Sequence, residues 1–215
     1  MQVLLVHGLW RTPASMLSLS RRLRREGYTT RLFGYAAVAE PYERIVRRLA
    51  DRIGYAAELG PYSMVGYSLG GVLLRDALYR MPAGRRRPER IVFLGTPNRS
   101  ASLASLFSSY PPYRWITGEC GVNLATPEFY AALPDPPAPY TIVAGTRGPR
   151  GRWSPFGDRV NDGLVGLDET RIHDEDPVVE LPVTHAFMLG DARVHQVVVD
   201  ALHGQAPAAR SSSAA

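Results

Sequence analysis

Ser68 is the residue of this 215-residue chain whose neighbours best equip it to attack an electrophile. It is the centre of Gly66-Tyr67-Ser68-Leu69-Gly70, a G-x-S-x-G pattern. Residues 63–65 enter it as a short strand-like run, and Val72, Leu73, Leu74, Ala77 and Leu78 leave it at helical spacing. Strand, sharp turn and helix together make a nucleophile elbow, whereas the bare pentapeptide is also a common glycine turn. The flanking glycines suit a strained turn against which the next backbone closes. The helix after Ser68 aims its free N–H groups and positive dipole end at negative charge developing there.

A serine hydroxyl needs a base, and the base needs a third group to fix its tautomer. Behind an elbow these follow in chain order, acid and then histidine. His173, His185, His195 and His203 all lie late in the chain. His185 follows the last predicted strand (178–181), at the carboxyl end where the elbow also points, and is the expected base. Its alternative role is a structural histidine capping the closing helix. His173 sits in an acidic stretch, and His195 and His203 are placed in that helix. The candidate acids are Asp158, Asp162, Asp168, Asp174 and Asp176. Asp162 lies in an Asn161-Asp162-Gly163 turn, which is also common for its own sake, and Asp176 directly precedes the last strand. Two backbone N–H groups must receive an oxyanion. Leu69, after the nucleophile, and Leu9, in the loop after the first strand, are the natural donors. His7 in that loop is expected to brace it.

These residues have to be carried by a sheet. Residues 3–6 form a continuous apolar run, the mark of a strand buried on both faces. Thr12-Pro13 opens a helix with Thr12 as N-cap, and Met16, Leu19 and Leu23 follow until Gly27. A strand over 28–35 and a helix after Pro41 (Ile45, Val46, Leu49, Ile53, Ala57) come next. Further strands fall at 90–95, 140–145 and 178–181, and a closing helix holds Val194, Val197, Val198 and Leu202. The alternation predicts an α/β fold with a mostly parallel sheet. Between 98 and 139 the pattern breaks into apolar clusters (Leu103, Leu106, Phe107; Tyr113, Trp115, Ile116; Phe129, Tyr130, Leu133). A segment this long is expected to be a lid or cap whose apolar faces line an acyl pocket, the alternative being a surface insertion that only covers the sheet.

Composition narrows the partners. All 25 basic residues are arginine and the net charge is +5. Few aromatics interleave with the arginine runs at 21–25, 47–48 and 85–87, which argues against nucleic acid and leaves weak contact with anionic membrane surfaces as their use. Cys120 is the single cysteine and reads as a buried filler. Met1-Gln2 leads straight into the first strand without a signal-like segment, so a cytoplasmic location is expected.

Four segments, in order, resemble the α/β-hydrolase superfamily in its small bacterial lipase and esterase branch. Val6-His7-Gly8-Leu9-Trp10 is similar to its oxyanion loop, Gly66–Gly71 to its G-H-S-x-G-G elbow, Leu94-Gly95-Thr96-Pro97-Asn98 to its L-G-T-P segment, and Asn161-Asp162-Gly163-Leu164-Val165 to its N-D-G-x-V acid segment. The resemblance spans about 2–202. It implies a three-layer fold with a minimal sheet of about six strands. The chain's length suits a single domain, placed over 1–204 with the 98–139 cap, and the small, polar residues of 205–215 read as a disordered tail. The resemblance also implies Ser68, Asp162 and His185 as catalytic residues, Leu9 and Leu69 as oxyanion donors, and no cofactor. The substrate implied is a small-molecule or lipid carboxylic ester, cleaved through an acyl-enzyme. A thioesterase or acyltransferase would use the same residues, and a non-catalytic binding module would have lost some of them. Two departures stand out. Tyr67 replaces the usual histidine before the serine. Phe187 stands where calcium-binding lipases of similar motif carry an aspartate, so no metal site is expected.

Overall fold

Apolar residues at successive strand positions need cover on both faces, and six strands of this chain receive it. A computed structural model describes residues 1–108, 110 and 112–205; most of the tail named above (206–215) lies outside them. The strands are β1 (Gln2–Val6), β2 (Thr29–Phe33), β3 (Tyr62–Tyr67), β4 (Ile91–Leu94), β5 (Tyr140–Gly145) and β6 (Val178–Leu181). They form one sheet in the order β2-β1-β3-β4-β5-β6, and every neighbouring pair is parallel. The expected "mostly parallel" sheet is thus wholly parallel among the described residues.

The pleat divides the core in two. Leu4, Val6, Met64, Ile91, Phe93 and Ile142 face one side, where α2 (Tyr42–Glu58) and α3 (Leu69–Tyr79) cover them. Val3, Leu5, Val65, Val92, Leu94 and Val143 face the other, under α1 (Leu17–Arg25) and α7 (Ala192–Leu202). That makes three layers. Pro13–Met16 is a 3₁₀ turn leading into α1, and Thr12 is extended before it but makes no side-chain cap bond, so the expected Thr12 cap is not formed. Asp191 does cap α7, accepting from Arg193 N at 2.8 Å.

Residues 98–139 fold as three short helices: α4 (Ser102–Ser108), α5 (Tyr113–Leu124), kinked at Gly118 (φ 63°), and α6 (Pro127–Ala131). Arginines of the surface runs meet local acceptors: Arg22 faces Glu26, Arg48 faces Glu40 and Arg85 faces Glu58. Cys120 is buried, and that burial pushes its thiol up to about 12, as a filler rather than a nucleophile would have it. Among the described residues no helix is long and apolar enough to cross a membrane.

Candidate active site

β1 runs out to β2 on one side of the sheet while the chain continues through β3 on the other, so the loops after β1 and β3 flank the point where the strand order reverses. Ligands of open α/β sheets bind at such a point. Ser68 sits there, after β3 and before α3, with φ 53° and ψ −126°. A non-glycine residue in that region is strained, and the surroundings must hold it. They do: Ser68 N donates to Leu94 O at 2.9 Å, and Gly71 N donates to Ser68 O at 2.9 Å. Gly66 and Gly70 are where the backbone closes. A Cβ on Gly66 would lie 2.5 Å from Gly71 Cα, and one on Gly70 would lie 2.3 Å from Val6 O.

Asp162, within the connection between β5 and β6, and His185, just after β6, are brought together. Asp162 Oδ2 accepts from His185 Nδ1 at 2.6 Å, with both side chains buried. The other oxygen, Oδ1, accepts from Leu164 N (2.9 Å) and Val165 N (2.8 Å), so the carboxylate cannot rotate without breaking bonds. The backbones are tied as well, His185 N donating to Asp162 O at 2.8 Å. Since a carboxylate only accepts, Nδ1 carries the hydrogen and Nε2 is left with its lone pair. His185 and Ser68 line the same cavity without a direct hydrogen bond between their side chains in this state, a common condition before substrate arrives.

The loop after β1 presses directly on the serine: a Cβ on Gly8 would lie 3.0 Å from Ser68 Cβ. This puts Leu9 in the cavity wall beside Ser68, while Leu69 opens α3, where the first N–H groups have no intrahelical acceptor. His7 is fully buried, with its ring stacked on Tyr35 at 4.2 Å, its Nδ1 donating to Gly8 O at 2.9 Å and its backbone carbonyl accepting from Tyr35 OH at 2.6 Å. It braces the loop, as the sequence suggested.

The other nominated residues are employed elsewhere. Asp176 accepts from Ile172 N, His173 N and the Tyr140 hydroxyl (2.8–2.9 Å) and does not meet His185. Asp168 pairs with Arg159, Asp174 with Arg99, and Asp158 is exposed. His173 lies 3.4 Å from Asp135, His195 Nε2 donates to Leu189 O at 2.8 Å, and His203 sits against Tyr28.

The contacts of several contributors were not read from the sequence. Tyr67 OH donates to the His185 backbone carbonyl at 2.9 Å, and burial pushes its hydroxyl far up, keeping it a donor. A Cβ on Gly95 (φ 53°) would lie 3.1 Å from both Asp162 Oδ2 and His185 Nδ1, and one on Gly145 would lie 2.7 Å from Asp162 Cβ. Two strand-end glycines thus make room for the acid–base pair. Arg75, buried in α3, donates to Asn98 O (2.7 Å), Leu133 O (3.2 Å) and Pro134 O (3.1 Å), pinning both ends of the cap insertion. Only local signals were readable, and none of these contacts is local.

The cavity has a volume of about 430 Å³. Leu103, Ala104 and Phe107 of α4 and Tyr113, Thr117 and Leu124 of α5 make its cap wall. The expected third cluster does not reach it: Phe129, Tyr130 and Leu133 pack on the α2–α3 side of the core, Phe129 edge-on to Tyr42. Trp115, 83 % exposed, points away from the core. Phe187, at the position considered for calcium, is also exposed, and among the described residues no group of three or more potential ligands could hold a metal.

No family model and no curated protein matches the chain. Solved structures do. A Bacillus licheniformis lipase in its mature form is similar at 18 % identity and a TM-score of 0.71, over 96 % of this chain and 92 % of that one. An extracellular alpha/beta-hydrolase from a Paenibacillus species gives 17 % and 0.60, over 94 % and 98 %. The thioesterase RedJ of the prodiginine pathway in Streptomyces coelicolor gives 15 % and 0.62, over 95 % and 85 %. The fold is that of the α/β-hydrolases.

Proposed function

We propose that the chain is a serine hydrolase of carboxylic esters. The observation that carries this is the buried His185–Asp162 pair at 2.6 Å, opening onto the same cavity as a serine held at positive φ. Ser68 Oγ attacks the ester carbonyl as His185 Nε2 takes its proton, and Asp162 steadies the imidazolium that forms. The Leu9 and Leu69 N–H groups receive the oxyanion. His185 then returns the proton to the departing alcohol, and water releases the acyl group by the reverse sequence. The apolar wall from α4 and α5 suits an acyl chain, and the likeness to a lipase supports a small-molecule or lipid ester.

Turnover of p-nitrophenyl esters from acetate to palmitate, wild type beside Ser68→Ala, is the test. Removing the nucleophile should lower kcat by about 10⁴-fold or more. Full turnover by Ser68→Ala would sink the proposal. The likeness to a thioesterase supports a second reading, in which the leaving group is a thiol or the acyl group passes to an acceptor other than water. Acyl thioesters turned over while oxygen esters of equal chain length fail would favour it.

A further inference from the structure

Of the residues lining the cavity, Arg11 alone carries a permanent charge. It follows Leu9 and Trp10, so the loop that offers the oxyanion donor also delivers a guanidinium to the site. Some surface arginines close on carboxylates, as Arg99 does on Asp174 and Arg193 on Asp191. Among the described residues Arg11 has no carboxylate partner. One nitrogen, Nη2, donates to Ala186 O at 3.3 Å, and the guanidinium lies beside the Tyr67 hydroxyl. Both neighbours are attached to the base: Ala186 is the next residue after His185, and Tyr67 OH donates to the His185 carbonyl.

We propose that Arg11 selects esters whose leaving alcohol carries an anionic group, a carboxylate or a phosphate. This rests on the ester-hydrolase reading, and its logic is positional. His185 must protonate the departing oxygen, so the alcohol leaves on the His185 side of the carbonyl. Arg11 reaches the backbone on that same side, whereas the cap offers the acyl group only apolar side chains and the Thr117 and Tyr113 hydroxyls. A guanidinium presents parallel N–H donors that match both carboxylate and phosphate oxygens. An anion a few bonds beyond the ester oxygen would meet it there. The side chain is exposed, so the selection is modest and weakens with salt.

The experiment compares two butyrate esters, of 4-hydroxybenzoate and of its neutral methyl ester, in wild type, Arg11→Gln and Arg11→Lys. The readout is the anionic-to-neutral ratio of kcat/KM. It should fall about fivefold in Arg11→Gln, fall less in Arg11→Lys, whose ammonium keeps the charge without the paired donors, and decline in wild type as salt rises. A second pair, butyryl glycerol phosphate against butyryl glycerol, asks the same of phosphate, and the pair with the larger wild-type ratio identifies the preferred anion. A ratio unchanged by Arg11→Gln in both pairs, with wild type turning over all four esters, overturns the role of Arg11 alone. Wild type failing on every ester overturns the hydrolase reading, and this inference with it.

Discussion

The ends of the strands and the cap close on the same cavity, but they are held in different ways. Around Ser68 the structure leaves no slack: a single added carbon at Gly66, Gly70 or Gly145 would fall 2.3–2.7 Å from atoms of the backbone or of Asp162. Asp162 has all its contacts satisfied, and His185 is fixed through both ring and backbone. The cap joins the core through Cys120, Leu124, Tyr130 and Leu133, and a few hydrogen bonds tie the rest of it down. Trp10 Nε1 donates to Ile116 O (2.8 Å), Glu119 accepts from Tyr42 N (2.9 Å), buried Glu169 accepts from Ser102 at the start of α4, and Arg75 holds the two ends. α4 buries none of its residues, and Leu106, Phe107, Trp115 and Ile116 stay largely exposed. On the proposed reading, bond-making is therefore committed to strand ends that cannot adjust. What is bound is left to side chains that can be exchanged at small cost in stability.

The largest effect should come from breaking the rigid side. In Gly70→Ala the new carbon meets Val6 O and His7 O, backbone atoms of the central strand and its loop, and neither can yield without opening the β1–β3 pairing. We expect a loss of about 3 kcal/mol or more in unfolding free energy, read by urea denaturation, and no measurable ester turnover. Near-wild-type stability for this variant would mean the elbow is as adaptable as the cap, and the contrast would be gone.

Phe107→Ala probes the other side. Phe107 lies in α4, faces the cavity and is 48 % exposed, so its removal should cost less than about 1 kcal/mol of stability. Its effect belongs in selectivity. With about 0.8 kcal/mol at stake for each methylene withdrawn from water, losing one apolar wall should cut kcat/KM for decanoate esters about tenfold and acetate less than about twofold. An equal fall for both chain lengths would assign α4 to the integrity of the reacting groups rather than to the acyl chain.

The same contrast governs what could be read from the sequence. The elbow, the six strands and the 98–139 interruption were legible because each depends on neighbours in the chain: unbroken apolar runs for doubly covered strands, glycines two residues either side of Ser68, a turn around Asp162. Position alone left Asp176 as a rival acid; it is its three contacts in the structure, two of them with backbone N–H groups before β6, that take it away from His185. The resemblance in the Asn161–Val165 segment had pointed the same way. What stayed hidden was contact at long range. Nothing near Gly95 announces that its missing side chain makes room for two residues 67 and 90 positions further on. An arginine amid the apolar residues of α3 gives no hint that it binds the carbonyls of Asn98 and Leu133. In the cap, periodicity found the apolar clusters but could not say which would face the cavity: α4 buries none of its residues, and the buried face of α5 (Thr117, Cys120, Gly121 and Leu124) carries a polar and two small residues in place of an apolar stripe, with a kink at Gly118.

The smallest effect tests the rigid side by titration. The His7 ring lies against Tyr35, its Nδ1–H is spent on Gly8 O, and Nε2 is buried with no partner, so a proton arriving there would be neither solvated nor paired. Burial accordingly holds its pKa below the usual value, against the opposing pull of the Gly8 carbonyl. The unfolded chain, free of that burial, takes up this proton near pH 6.5. Between the two values the unfolded state binds more protons, so stability rises with pH: the contribution is complete above about 6.5 and is lost as pH falls toward the folded value. Of the cap's ties, Trp10 does not titrate and the Arg75 guanidinium stays charged throughout this pH range. Melting wild type and His7→Asn from pH 7.5 to 5.5 isolates the contribution, because asparagine keeps a donor near the Gly8 carbonyl while carrying no titrating group. Wild type should lose more Tm than the variant over this range, by less than about 4 °C. Identical losses would mean that the buried loop after β1 admits a proton, or water, as readily as the exposed cap does, and the Leu9 N–H proposed to receive the oxyanion would then stand on looser ground than Ser68.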